Sequence, residues 1–124
     1  MSKRINQRHH DFMIKYMVSQ LLNAGFSKIC ADIPGHKKPI PIKFQSSAYY
    51  PDVYAEKDMK KILVEVETDD SINEDHTEFE WMALNQYKKS NNAELIFVAP
   101  GISRQKLTLR AYELGIEDFM FVGV

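Results

Sequence analysis

The chain has 124 residues, 44% of them hydrophobic and 27% charged, with a formal net charge of −1. That length suits one domain over 1–124 with one core, and the near-neutral balance gives no global pull toward nucleic acid, so phosphate binding would have to come from local patches. The single cysteine, Cys30, excludes an internal disulfide and fits a reducing, cytoplasmic setting; the charged first residues lack the apolar stretch of a signal peptide, and no run approaches the roughly 18 apolar residues that span a bilayer.

The first predicted element is a helix over 3–24, ended by Gly25. Ile14, Met17, Val18, Leu21 and Leu22 recur at helical spacing as its core stripe, broadened by Phe12, Met13 and Tyr16. His10 and Asp11 sit on the edge of that stripe. They read either as an exposed helix start or as groups that reach into a site. A strand is expected over 26–33, followed by a basic, proline-rich stretch over 34–43 that excludes a helix or a central strand. Lys37, Lys38 and Lys43 make this loop, with a short edge strand near 40–44, a candidate contact for a phosphate backbone.

The organising stretch is 50–68. Two runs rich in Val, Ile and Tyr flank the polar break Lys57-Asp58-Met59-Lys60, the pattern of a β-hairpin with strands near 48–56 and 61–68. A turn there sets Asp52 opposite Glu65 and Tyr50 opposite Glu67. Alternation puts Leu63, Glu65 and Glu67 on one face and Ile62, Val64 and Val66 on the other. Like charges across a strand pair are destabilising, so a divalent cation is the natural neutralising partner for such a patch of oxygen ligands.

Ser71 and Glu74 have the spacing of a capping box and predict a helix over 71–90, with a stripe of Ile72, Phe79, Met82, Ala83 and Tyr87 and with Trp81 and Leu84 to its side. Its early acids and its late Lys88 and Lys89 match the helix dipole. The apolar run 95–99 reads as a central strand buried on both faces. Pro100-Gly101 turns the chain, a helix follows from Ser103 to Leu114, and 119–124 is a final strand. The order α-β-β-β-α-β-α-β predicts an α/β domain, a mixed sheet flanked by helices. Asp69, Ser71, Asn73 and Glu80 mimic part of a calcium loop, but Glu74 stands where that loop needs Gly. Arg104, Lys106 and Arg110 on the last helix read as a solvated face or as the flank of a nucleic-acid groove.

Pro51-Asp52, the hairpin, and Glu65-Val66-Glu67 resemble the motif of the PD-(D/E)XK nuclease superfamily, and the element order resembles its restriction-endonuclease-like core. Leu21-Leu22-Asn23-Ala24-Gly25-Phe26 before a strand is similar to the start of Holliday-junction-resolvase-like members. Gln86 and Tyr87 are similar to a Gln and Tyr of RecB-type nucleases, although adjacent here rather than a turn apart. The family's usual last motif residue is Lys, and this chain has Glu67, so a charged nitrogen would have to come from elsewhere, with Lys61, Lys88 and His10 as candidates.

What the resemblance implies is Mg²⁺- or Mn²⁺-dependent hydrolysis of DNA phosphodiesters. Asp52 and Glu65 would hold the metal with the Val66 carbonyl, and Glu67 would act as general base or second-metal ligand. His10, Asp11 and Gln86 would contribute from the helices, and Lys37, Lys38, Lys43 and Lys88 would touch nucleic acid. A homodimer built on the apolar C-terminal strand would help so small a domain grip a duplex. The alternatives are a catalytically degenerate module that binds nucleic acid or a protein partner, and a plain α/β interaction domain in which the acid register is accidental.

Overall fold

The computed structural model describes residues 2–124, with side chains from residue 7 onward. The side chains of the charged N-terminal segment before that lie outside the described residues. A five-stranded mixed sheet lies between helices, and a two-stranded sheet is attached to it. Helix α1 (Ser2–Asn23) leads into β1 (Lys28–Ala31). The small hairpin β2 (Ile42–Phe44) and β3 (Ser47–Tyr49) comes next. The main hairpin is β4 (Val53–Lys57) and β5 (Lys60–Val66). Helix α2 (Asp75–Asn91) carries the chain to β6 (Glu94–Ala99), and a 3-10 turn (Gly101–Ser103) with α3 (Arg104–Glu113) carries it to β7 (Phe119–Gly123).

The spatial order is β1-β4-β5-β6-β7, with β1, β4 and β5 antiparallel and β5, β6 and β7 parallel. Parallel neighbours need a crossover, and α2 and α3 supply the two. The expected order lacks the inserted β2–β3 hairpin. The sequence offers the tract over 34–43 as a loop, or as a loop with a short edge strand over 40–44; in the structure that strand is β2, which pairs with β3 rather than with the main sheet.

The two faces of the sheet carry separate cores. Ile62, Val64, Val66, Ile96 and Val98 pack with Met13, Ile14, Met17, Val18 and Leu21 of α1. Leu63, Leu95, Phe97 and Ala99 pack with Trp81 and Leu84 of α2 and Leu107 and Ala111 of α3. The alternation in β5 and β6 is therefore that of strands buried on both sides.

Several packing expectations are corrected. Leu22 and Phe12 are exposed, and Met13 takes their place in the stripe. Trp81 and Leu84 are buried in α2, whereas Phe79 is exposed, because the helix is rotated so that the Trp81 ring packs against Phe97, centroids 4.4 Å apart and tilted at 44°. The capping box does not form. Helix α2 starts at Asp75 after an extended Glu74 with no side-chain cap, and Ser71 bonds elsewhere.

Chain reversals follow local chemistry. Gly25 ends α1 at φ +94°, and a side chain there would strike the Lys57 ammonium that caps the Ala24 carbonyl at 3.0 Å. Asn92 closes α2 in the left-handed region, its N–H on the Lys88 carbonyl. In the main hairpin, Lys57 pairs with Lys60 around Asp58 and Met59.

Candidate metal centre at the end of the central hairpin

Register builds the site. Val53 pairs with Val64, which sets Asp52 beside Glu65 where the β4–β5 ladder ends. The ladder ends there because Pro51 has no N–H to donate. Tyr50 accordingly lies outside the paired region and does not face Glu67, contrary to expectation. The Asp52 carboxylate takes over the role of the missing strand partner. Its Oδ2 accepts the buried Val66 N–H at 2.7 Å, and its Oδ1 lies 3.3 Å from His10 Nε2 on α1.

Glu65 on β5 and Glu67, the residue just past its end, project toward α2. Glu67 N–H is held by the Val98 carbonyl at 2.8 Å, so the strand end is pinned by β6. Both Glu67 oxygens have donors. Ser71 Oγ donates to Oε1, and the Trp81 indole donates to Oε2 at 2.9 Å. Glu80, the residue before Trp81, comes down from α2. Ligand atoms of Glu65, Glu67 and Glu80 all lie within 4.8 Å of one another. They open on a cleft of about 330 Å³, also lined by His10, Asp52 and Val66.

Burial pushes the carboxyl of Glu65 well up, and the charges of Asp52, Glu67 and Glu80 push it further. The Glu67 carboxyl is also raised by burial, against the Ser71 and Trp81 donors that favour its charged form. Glu80 is pushed up to about 7 by burial and by the charges of Glu67 and Asp52. Burial opposes a charged His10, but the Asp52 hydrogen bond and the surrounding carboxylates outweigh it and raise the imidazole to about 9.

One atom stands out. Glu65 is 4% exposed, and its Oε1 has no hydrogen-bond partner among the described residues. A buried acceptor without a partner costs roughly 1–3 kcal/mol. The donor set around it is all carboxylate oxygen, the preference of hard divalent cations such as Mg²⁺ and Mn²⁺.

The other expected site residues separate. His10 reaches the cluster, whereas Asp11, also expected there, accepts from Gln7 at 2.9 Å outside the cleft. Gln86 faces a different groove with Ile42 and Lys43. Lys88 is buried and donates to the Glu117 and Asp118 carbonyls, which removes it both as a nucleic-acid contact and as a charge for the acid cluster. Lys37 and Lys38 are exposed, with Lys38 paired to Asp32 at 2.8 Å, and neither they nor Lys43 line the cleft.

Asp52 was expected to share the metal with Glu65. In the geometry, Glu80 completes the ligand-spaced trio while Asp52 is engaged by Val66 and His10. Sequence reasoning noted Glu80 only in a calcium-loop mimic. The signal that points to it is an acid directly before the one tryptophan, early in the helix that follows the acidic strand.

No family model, curated protein or solved structure matches this chain.

Proposed function

We propose that this chain is a small metal-dependent nuclease that hydrolyses phosphodiester bonds in DNA. The frame α1-β1-β4-β5-α2-β6-α3-β7 is read as a restriction-endonuclease-like core, with β2–β3 an insertion in it. The observation that carries the reading is the partnerless Oε1 of buried Glu65 among the carboxylates of Glu67, Glu80 and Asp52. Mg²⁺ or Mn²⁺ fits this donor set, and such an ion supplies an acidified water and charge neutralisation on phosphate oxygens.

The protein's own groups divide the remaining work. Glu80 and the partnerless Oε1 of Glu65 offer oxygens at the cleft, while Glu65 also shares a hydrogen bond with Glu67. Glu67 is oriented by Ser71 and Trp81, each of its oxygens keeping one lone pair toward its neighbours. Asp52 locks the strand end through the Val66 N–H, which keeps Glu65 and Glu67 in register. His10 brings the positive charge that the absent lysine would bring, at 3.3 Å from Asp52.

The test is calorimetric titration of Mg²⁺ and Mn²⁺ into the wild type and Glu65→Gln, beside a plasmid-nicking assay with both ions. The expected result is binding and nicking in the wild type and loss of both in Glu65→Gln. Binding without nicking would transfer the reading to a degenerate module that holds metal and recognises nucleic acid or a protein. Absence of binding would remove the metal centre.

A further inference from the structure

The two edges of the main sheet are finished differently. At one edge, β1 is four residues long, carries Lys28 beside Glu56, and is covered where the Ala31 N–H meets the Lys37 carbonyl of the following loop. At the other edge, β7 reads Phe119-Met120-Phe121-Val122-Gly123, with no charge and no proline, and among the described residues no strand pairs with its outer side. Charges, prolines, short length and covering loops are the usual protections of a free edge; β7 carries no charge or proline of its own, and the Arg104 guanidinium lies over the Phe121 ring, 4.8 Å from its centroid, rather than along the backbone edge.

The direction of its free backbone groups is fixed. Val124 N–H donates to the Ala99 carbonyl at 3.0 Å. Amides alternate along a strand, so Met120 and Val122 also point toward β6, and Phe119, Phe121 and Gly123 point their N–H and C=O outward. This outward set is symmetric about Phe121. We propose that β7 pairs antiparallel with β7 of a second copy about a two-fold axis through Phe121, joining two sheets into one.

That register uses every outward group. Phe121 faces its own copy, Phe119 faces Gly123, and each such pair exchanges two hydrogen bonds. Met120, 54% exposed and the most open side chain on the strand, falls opposite the half-buried Val122 of the other copy, an apolar pair at close approach. Moving the axis by one residue, to Met120 or Val122, leaves one outward residue of each copy without a strand partner, and moving it by two leaves two, so the Phe121 axis alone pairs them all. A two-fold contact of this kind is self-complementary and closed, so it stops at a dimer. Exposed Tyr112, whose ring lies 6.4 Å from that of Phe119, extends the apolar surface beside the strand.

The register also locates the two acidic clusters. Glu65 pairs with Phe97 and Phe97 with Phe121, so Glu65 is level with the axis. Five strand spacings separate β5 from its copy, about 24 Å at roughly 4.8 Å each. The two clefts would then open on the same face of the joined sheet. The dimer itself does not depend on the metal reading.

The test is sedimentation velocity of the 124-residue chain over micromolar to submillimolar concentration, with amide hydrogen exchange at Phe121. The expected result is a dimer that dissociates on dilution, with Phe121 N–H protected only in the dimer. Met120→Lys should give a monomer with wild-type circular dichroism, because the side chain is exposed within one copy. Met59→Lys, at the tip of the main hairpin and 95% exposed, should leave the dimer intact. A wild-type monomer at every concentration would overturn the proposal, as would a dimer that survives Met120→Lys or one in which Phe121 N–H exchanges at the monomer's rate. Should Met120→Lys fail to fold, the Phe121 exchange comparison in the wild type decides alone.

Discussion

Replacing Glu80 by Gln should strengthen the metal-free fold and weaken the metal complex. Glu80 holds its proton up to about 7 against an ordinary 4.5, because burial and the charges of Glu67 and Asp52 oppose ionisation. A carboxyl raised on folding makes the native state bind more protons than the unfolded chain. Stability therefore falls as pH rises from about 4.5 through about 7. The interval of about 2.5 pH units, at about 1.4 kcal/mol each, bounds the effect at roughly 3 kcal/mol. Glu80 is only half-buried, and screening brings the expected gain at pH 8 down to about 1–2 kcal/mol. For a chain of this size that is roughly 3–10 °C in Tm. Below pH 4.5 the gain should vanish, because the wild-type carboxyl is then neutral in both states. The cluster of Glu65, Glu67 and Glu80 loses one oxygen donor at the same time, and Mg²⁺ affinity should fall by about 10–100-fold or more. The assay is thermal unfolding at pH 4 and pH 8 with and without Mg²⁺, paired with calorimetry. A Glu80→Gln protein that is less stable at pH 8 in chelator, or that binds Mg²⁺ as the wild type does, would refute the argument that these carboxyls strain one another for the sake of a cation.

Two further outcomes follow from the same cluster. His10 is raised from 6.5 to about 9, so its contribution is fully present below pH 6.5 and is lost as pH rises through about 9. His10→Gln should flatten the stability profile in that window and push the Glu80 carboxyl up further, since it loses the His10 charge that lowers it, as read by urea titrations across pH. Trp81→Phe deletes the indole donor to Glu67 Oε2 and leaves a buried carboxylate oxygen short of a partner. It should cost about 1–3 kcal/mol and make unfolding more sensitive to alkaline pH, and a denaturant midpoint equal to the wild type's would show that the indole bond is not what fixes Glu67.

The hairpin register was legible because strand periodicity and a two-residue turn leave few choices. Asp58 and Met59 fix which residues face each other, and alternation then sends Glu65 and Glu67 to one side. Helix rotation was harder to read. Helix α2 carries apolar residues on more than one side, and only the Phe97 ring on β6 decides that Trp81 rather than Phe79 turns inward. That same rotation brings Glu80 into the cluster, so one misjudged stripe hid one candidate ligand. Lys88 looked like a dipole-matching surface residue. It is instead drawn inward by carbonyls about thirty positions later in the chain, a contact that no local pattern encodes. Ser71 shows the same competition, since its hydroxyl serves Glu67 and the Thr68 N–H in place of the helix start.

The distribution of donors within the cluster separates its members. Asp52 has the Val66 N–H and His10, and Glu67 has Ser71 and Trp81. Glu80 is half-buried and has partial access to water. Glu65 alone combines near-complete burial with an oxygen left bare. A structural acidic patch would gain by replacing such a residue with an apolar one, since burial and the neighbouring carboxylates already penalise the Glu65 carboxyl. Its neighbour in the ladder, Leu63, shows that β5 can offer leucine on this same face. Holding a carboxylate two residues further along, under the pressure of three others, is what the proposed cation site would require.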